Sequence, residues 1–228
     1  MARPRSFDDI KVLDAALGCF WGRGYKATSI RDLAGAMGIS GPSLYNAFGD
    51  KRSLFLDALE HYCSTRTYPM LARIEREHTG ADAVAAFFAK IVDRSVADRE
   101  RRGCFLINSV LDVAPHDKAM AKVVAIHLDA IRGFLARNLG SAHAADDAVI
   151  SADVDVAADH LLAVLLGVRV LARTQPNRQL LEGIVGSALR SVGISQRRPV
   201  ALRSKPRAVA ERRDAHLRGP RRREKKQA

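Results

Sequence analysis

Residues 38–48 read GISGPSLYNAF, and this run restricts the fold more than any other in the chain. Glycine leaves helical geometry readily, and proline is tolerated only in the first turn of a helix. One helix therefore ends by Gly38. A second begins around Ser40–Pro42 and is stopped by Gly49 barely two turns later. Ser40 can cap it, and Leu44 and Phe48, four residues apart, share a face. A helix this short needs neighbours to hold it, because isolated helices under about 12–15 residues are marginal in water.

Those neighbours are legible on both sides. Ile10, Leu13, Leu17 and Phe20 repeat at helical spacing over 7–22, with Trp21 beside them and Asp8 and Asp9 in the first turn. Ser29 followed by Asp32 reads as a capping box that opens a helix with Ile30, Leu33, Ala34 and Met37 on its inner stripe. Asp50 can cap a fourth helix carrying Leu54, Phe55, Ala58, Leu59 and Tyr62, with Pro69 as a kink or break before Arg76. Two short helices joined by a tight turn form helix-turn-helix architecture. Leu44 and Phe48 would anchor the second helix, while Ser43, Tyr45 and Asn46 face outward. Such a helix suits the major groove of DNA. The same pattern also fits a small helical subdomain whose exposed polar residues have no partner.

Downstream, helices are expected over 81–99, 104–113, 117–139, 154–173 and 177–192, with a loop over 141–155. The last two are apolar on wide faces, through Leu161, Leu162, Leu165, Leu166, Val168 and Leu171. Burial on two sides suits either a central helix or a partner subunit. The expected fold class is all-α: an N-terminal three-helix helix-turn-helix domain (1–50), a helical regulatory and dimerisation domain (51–195) and a basic tail (196–228).

The net charge of +12 belongs mostly to that tail. Residues 196–228 hold 13 of the 37 Lys and Arg and 3 of the 25 Asp and Glu, a net +10, leaving +2 for residues 1–195. The tail has no apolar period and is expected to be disordered. It could bind nucleic acid electrostatically, or be a solvated extension of no specific role. No apolar run approaches the roughly 20 residues needed to cross a bilayer, and the first ten residues lack an apolar signal core, so a cytoplasmic location is expected.

Enzymatic chemistry needs a nucleophile with a base, a metal cluster or a phosphate loop, and none is visible. Cys19, Cys63 and Cys104 are far apart, with neither zinc nor disulfide spacing. No metal and no cofactor are expected. His116–Asp117 suits turn and helix-cap chemistry. His127 and His160 suit a core or the wall of a ligand pocket, as do Phe87, Phe88, Phe105 and Asn108.

The segment GRGYKATSIRDLAGAMGISGPSLYNAFGDKRSLFLDAL resembles the TetR family of bacterial transcriptional regulators, densely over about residues 7–60. The resemblance implies a homodimer, usually formed through the last two helices, here those near 154–192. It implies a double-stranded DNA operator and a small-molecule effector, with repression as the usual outcome. It assigns phosphate contacts to Thr28, Ser29, Tyr45 and Lys51, with Lys26 as an additional backbone contact. Ser40, Gly41, Pro42 and Ser43 become the turn and leading edge of the recognition helix. Base contacts would come from Ser43, Asn46 and their neighbours. Asn46 stands where Tyr or His is frequent in the family. RRGCFLINSVLDVAPHD, residues 101–117, resembles one branch of the family in which a Gly-Cys pair opens the sixth helix. In some of those relatives the cysteine senses electrophiles, oxidants or metal. A helix N-terminus and two arginines, Arg101 and Arg102, would favour its thiolate. A packing cysteine at a helix start is the other reading. The alternative for the whole chain is a sequence-nonspecific nucleic-acid binder driven by the basic tail.

Overall fold

A computed structural model of the chain describes residues 8–145 and 153–195. Every regular element among them is helical: α1 (Asp9–Arg23), α2 (Ile30–Met37), α3 (Gly41–Phe48), α4 (Lys51–Tyr62), α5 (Tyr68–Glu77), α6 (Gly80–Ala97), α7 (Phe105–Asp112), α8 (Lys118–Ala144), α9 (Val154–Leu171) and α10 (Arg178–Ser191). The tail, with its expected disorder, lies outside the described residues.

The starts and stops follow local chemistry. Asp8, Ser29, Ser40, Asp50, Asp117, Asp153 and Asn177 each accept a hydrogen bond from a first-turn backbone N–H, which satisfies donors the helix itself leaves open. At Ser29 the capping box is complete, with Asp32 returning the bond to the Ser29 backbone. Gly38 closes α2 in the left-handed conformation, at φ 66°, which turns the chain sharply into α3.

Between α4 and α5, Cys63–Thr67 form one π-helical turn, and the helical backbone runs on from Lys51 to Glu77. Pro69 explains it. Inside an α-helix its ring would strike the carbonyl of Thr65, and it offers no N–H. The wider turn, closed by Tyr68 N–H donating to the Cys63 carbonyl, absorbs the misfit without breaking the rod. Counting α4 to α5 as one helix, α7 is the sixth.

Helix α1 packs on α2 and α4, and α3 on α2 and α4. Helix α8 packs against α6, α7 and α9, and α10 closes over α6 and α9. An aromatic chain threads between the two groups. Phe20 of α1 meets Phe55 of α4 at 5.1 Å between centroids, and Phe55 meets Phe105 of α7 at 5.3 Å. Each such pair contributes about 0.5–1.5 kcal/mol beyond its buried area.

Two expectations need correction. Ile10 is 64 % exposed, and Val12 and Ala16 take the inner positions with Leu17 and Phe20. Second, α8 continues through Ala144, so 141–144 are helical rather than loop. On α9 and α10 the chain itself leaves part of the apolar surface open, as the partner-subunit reading of these helices implies. Val156, Val170 and Leu180 are exposed and Leu162 and Leu166 half-buried.

Candidate nucleic-acid interface and ligand cavity

Helix α3 has two opposite faces. Leu44 is fully buried and Phe48 nearly so, which fixes the helix on α2 and α4. One residue on, Tyr45 is 51 % exposed, and Asn46 beside it is exposed too. Neither side chain makes a hydrogen bond to another described residue. The structure thus presents a phenol and an amide with free hydrogen-bonding groups on a convex helix surface. Ser40 and Ser43 are committed locally: the Ser43 N–H donates to Ser40 Oγ (3.2 Å), and the two hydroxyls share a bond of 2.8 Å. Gly41 is half-buried and Pro42 exposed at the helix start.

The other expected DNA contacts divide. Lys26 is exposed. Ser29 is exposed, but its hydroxyl donates to Asp32 (2.6 Å), and Arg23 reaches the same carboxylate at 2.7 Å. The Ser29 hydrogen bonds, with those and Arg23, pull the Asp32 carboxyl down to about 2. Thr28 is corrected: it is completely buried, and its hydroxyl donates to the Gly24 carbonyl at 2.7 Å, so it has no hydroxyl to offer a phosphate. Lys51 is half-buried, its ammonium 4.4 Å from the centre of the Tyr25 ring; burial lowers its pKa, with Asp112 opposing. Sequence reasoning passed over Arg31, exposed in the first turn of α2. Its signal was present. A cation there opposes the helix dipole, so local stability does not explain it.

Three polar links join α1, the connection after it and α4 to the part of the chain around α7 and the start of α8. Tyr25 N–H donates to Asp112 Oδ2 of α7 at 2.6 Å. Arg52 grips Asp117 with two bonds, 2.6 and 3.0 Å, while Asp117 also caps α8. The bond from Arg52 holds the Asp117 carboxyl far below the usual carboxylate range, helped by the α8 backbone N–H groups. The His116–Asp117 pair is thus helix-cap chemistry. Third, the Trp21 indole N–H donates to the Arg102 carbonyl at 3.2 Å.

That last link borders a half-open cavity of about 820 Å³ lined by residues of α1, the end of α4, the π turn, α5, α6, α7, α8 and α9. Trp21, Tyr62, Phe87, Ile107 and Leu165 supply apolar wall, and Cys104 stands at the start of α7 with Sγ 3.5 Å from the Tyr62 hydroxyl. Burial and the neighbouring Cys104 raise the Tyr62 phenol far above its ordinary value. Burial pushes the Cys63 thiol up to about 12 and also raises Cys19, which makes both poor nucleophiles.

Of the six effector candidates, only Cys104 and Phe87 line this cavity. Phe105 is buried in the aromatic chain, and Asn108 donates to the Arg102 carbonyl at 2.7 Å; both border a smaller hollow of about 310 Å³ beside α1. His127 is buried away from the cavity, its Nδ1 bonded to the Tyr68 hydroxyl. Its Nε2 has no hydrogen-bond partner among the described residues, with Glu60 3.5 Å away, and burial lowers its pKa. His160 is exposed and meets Ser191 Oγ at 3.2 Å, between α9 and α10. Helical periodicity put these histidines on the correct helices without telling which face meets the cavity. Among the described residues no cluster of three or more metal-ligating side chains occurs, and no helix is long and apolar enough to cross a membrane.

Comparison with known proteins fits this geometry. Residues 12–58 match the family described as bacterial regulatory proteins, tetR family. Residues 80–186 match the tetracyclin repressor-like C-terminal domain. The HTH-type transcriptional repressor ComR of Escherichia coli is 30 % identical over 189 residues, 82 % of this chain and 90 % of that protein. The HTH-type transcriptional regulator YezE of Bacillus subtilis is 35 % identical over 123 residues, 54 % of this chain and 63 % of that protein, under two thirds of its length. A solved structure of a cysteine mutant of the TetR family regulator CifR with 26-base-pair operator DNA is 30 % identical, with a TM-score of 0.73, over 83 % of this chain and 99 % of that one.

Proposed function

The chain belongs to the TetR family of bacterial regulatory proteins, a homodimeric DNA-binding transcriptional regulator, and on that premise we propose how its parts divide the work. Residues 1–50 read the operator, and 51–195 bind the effector and dimerise. The observation that carries this reading is the two-faced α3, with Leu44 and Phe48 locked inside and Tyr45 and Asn46 free outside. Tyr45 takes a phosphate, Asn46 and Ser43 approach base edges, and Lys26, Arg31 and the open backbone N–H groups at the start of α2 hold the flanking backbone. Lys51 reaches a phosphate only by leaving the Tyr25 ring.

The exposed Val156, Val170 and Leu180 of α9 and α10 are the face that a second copy covers. The dimer sets two α3 helices about 34–36 Å apart, in successive major grooves. An effector enters the 820 Å³ cavity. By preferring a conformer with a different spacing it lowers operator affinity without touching DNA. The Trp21 to Arg102 bond carries that change, since it joins the cavity wall to α1. Cys104 is the residue an electrophilic effector would meet. The protein acts by binding, in the cytoplasm, as a repressor.

The competing reading gives DNA affinity to the basic tail. Operator binding by residues 1–195 and by the full chain decides between them. Shared site preference, with a similar salt slope, supports the assignment to α3. Loss of most affinity and of its salt dependence on removing the tail would sink it.

A further inference from the structure

The cavity carries more positive charge than its own structure neutralises. Arg66, Arg73, Lys90, Arg94, Arg102 and Arg169 line it, against two carboxylates, Glu77 and Asp98. Both carboxylates are engaged: Glu77 accepts from Arg73 Nε at 2.8 Å, and Asp98 accepts from the Gly103 N–H at 2.8 Å. Arg102 pairs with Glu100 at 2.9 Å and lies over Trp21. Arg66 also sits over the Trp21 and Tyr62 rings. Arg66, Lys90, Arg94 and Arg169 have no ion-pair partner among the described residues.

Arg169 is the telling member. It projects from the middle of α9 and is only 8 % exposed. Its one hydrogen bond runs from Nη1 to Ser95 Oγ at 2.8 Å, and Ser95 itself is spent on the Ile91 carbonyl. A guanidinium has five N–H donors and stays charged throughout the accessible pH range. A buried charge without a counter-ion is costly, and its usual remedy is a carboxylate from a neighbouring helix. Here none is supplied, and the side chain borders a cavity with apolar walls.

We infer that the cavity is built for an organic anion, its carboxylate, sulfonate or phosphate group held by Arg169, with Arg94 nearer the rim, and its apolar body against Trp21, Phe87 and Ile107. The inference rests on the cavity being the effector site and adds the chemical class of the effector. Two oxygens of any of these groups match the guanidinium fork, and the burial of Arg169 strengthens the pair. The stacked Arg66 and Arg102 make Trp21 the place where an arriving negative charge is felt. Drawing either cation off the indole alters the contacts of α1.

The test uses a matched pair of probes on the full-length protein: 8-anilinonaphthalene-1-sulfonate and the neutral sulfonamide of the same skeleton. Trp21 is the single tryptophan and lines the cavity, so energy transfer from it reports binding, and the arginine variants locate that binding in the cavity. The expected result is that the sulfonate binds about tenfold or more tightly than the sulfonamide and quenches Trp21. Arg169→Met should remove that preference while the sulfonamide binds as before. Arg94→Ala, at an exposed position, should weaken the sulfonate in a protein of unchanged fold, and it decides the matter if Arg169→Met does not fold. Equal affinity for the two probes in the unaltered protein, or sulfonate binding unchanged in both variants, overturns the inference. Operator affinity measured in the same samples separates the two claims. Sulfonate binding that leaves DNA affinity untouched keeps the ligand class and removes the effector role of the cavity.

Discussion

Replacing Tyr45 by Phe removes one oxygen and leaves the ring. The hydroxyl has no partner within the described chain, and the side chain is half exposed on α3. Folding stability should therefore barely change, within about 0.5 kcal/mol, or about 2 °C in Tm. Operator affinity should change greatly. A hydrogen bond to a charged phosphate contributes about 1.5 kcal/mol at the low end. A twofold dimer loses it twice, about 3 kcal/mol, or roughly 150-fold in Kd. Leu44→Ala supplies the contrast. It empties a fully buried site and should destabilise by about 2–5 kcal/mol, so that α3 opens and binding falls with stability. The assay pairs thermal unfolding with operator binding by fluorescence anisotropy at fixed salt. Tyr45→Phe binding within about threefold of the unaltered protein would refute the reasoning. So would a binding loss that merely tracks a fall in Tm.

Gly24 has φ 83° and ψ 165°, and a Cβ there would lie 3.2 Å from Asp112 Oδ2, the acceptor of the Tyr25 N–H. Gly24→Ala should cost about 1–3 kcal/mol in urea unfolding, and an unchanged midpoint would show that this junction carries no strain. His127 is buried with its pKa lowered, so near and below its unfolded value of about 6.5 the unfolded chain binds more protons than the folded one. Stability should then be full above that value and decline as pH falls through it, by at most about 1.4 kcal/mol per unit from this group. His127→Gln should flatten the Tm profile between pH 5.5 and 7.5, and a profile of unchanged slope would exonerate the histidine. Cys104 borders the cavity, whereas the Cys63 thiol is held at about 12. Release from operator by N-ethylmaleimide should survive Cys63→Ser and vanish in Cys104→Ser; release persisting in Cys104→Ser removes that thiol from the mechanism.

Sequence reading reached the helices well because their ends are written in single residues. Ser29 with Asp32, Ser40 with Pro42, and Asp50 each mark a start, and Gly38 and Gly49 mark stops. What sits behind a helix is written less plainly. Thr28 belongs to the motif, yet its hydroxyl serves the Gly24 carbonyl, because the chain between α1 and α2 needs that acceptor satisfied. His127 and His160 lie on expected helices, but α8 and α9 each pack against several others, and periodicity cannot rank those neighbours. Pro69 reads as a kink or break in the sequence, and one extra residue in the turn before it lets the helical backbone run on. The cavity's defining residue was visible in outline. Arg169 interrupts the apolar run LLGVRVLA, and a charge inside such a run asks for a partner. Only the packing of α9 against α6 discloses that Ser95 answers with a single hydroxyl.

The central claim is that a dimer of this chain reads a specific site through α3. A nuclease footprint of the full-length protein on the DNA flanking its own gene, near physiological salt, tests it most directly. The account predicts one discrete, near-palindromic protected site, abolished by Tyr45→Phe at the same protein concentration. Uniform protection along the fragment, insensitive to that substitution, would contradict it and hand DNA binding to the basic tail.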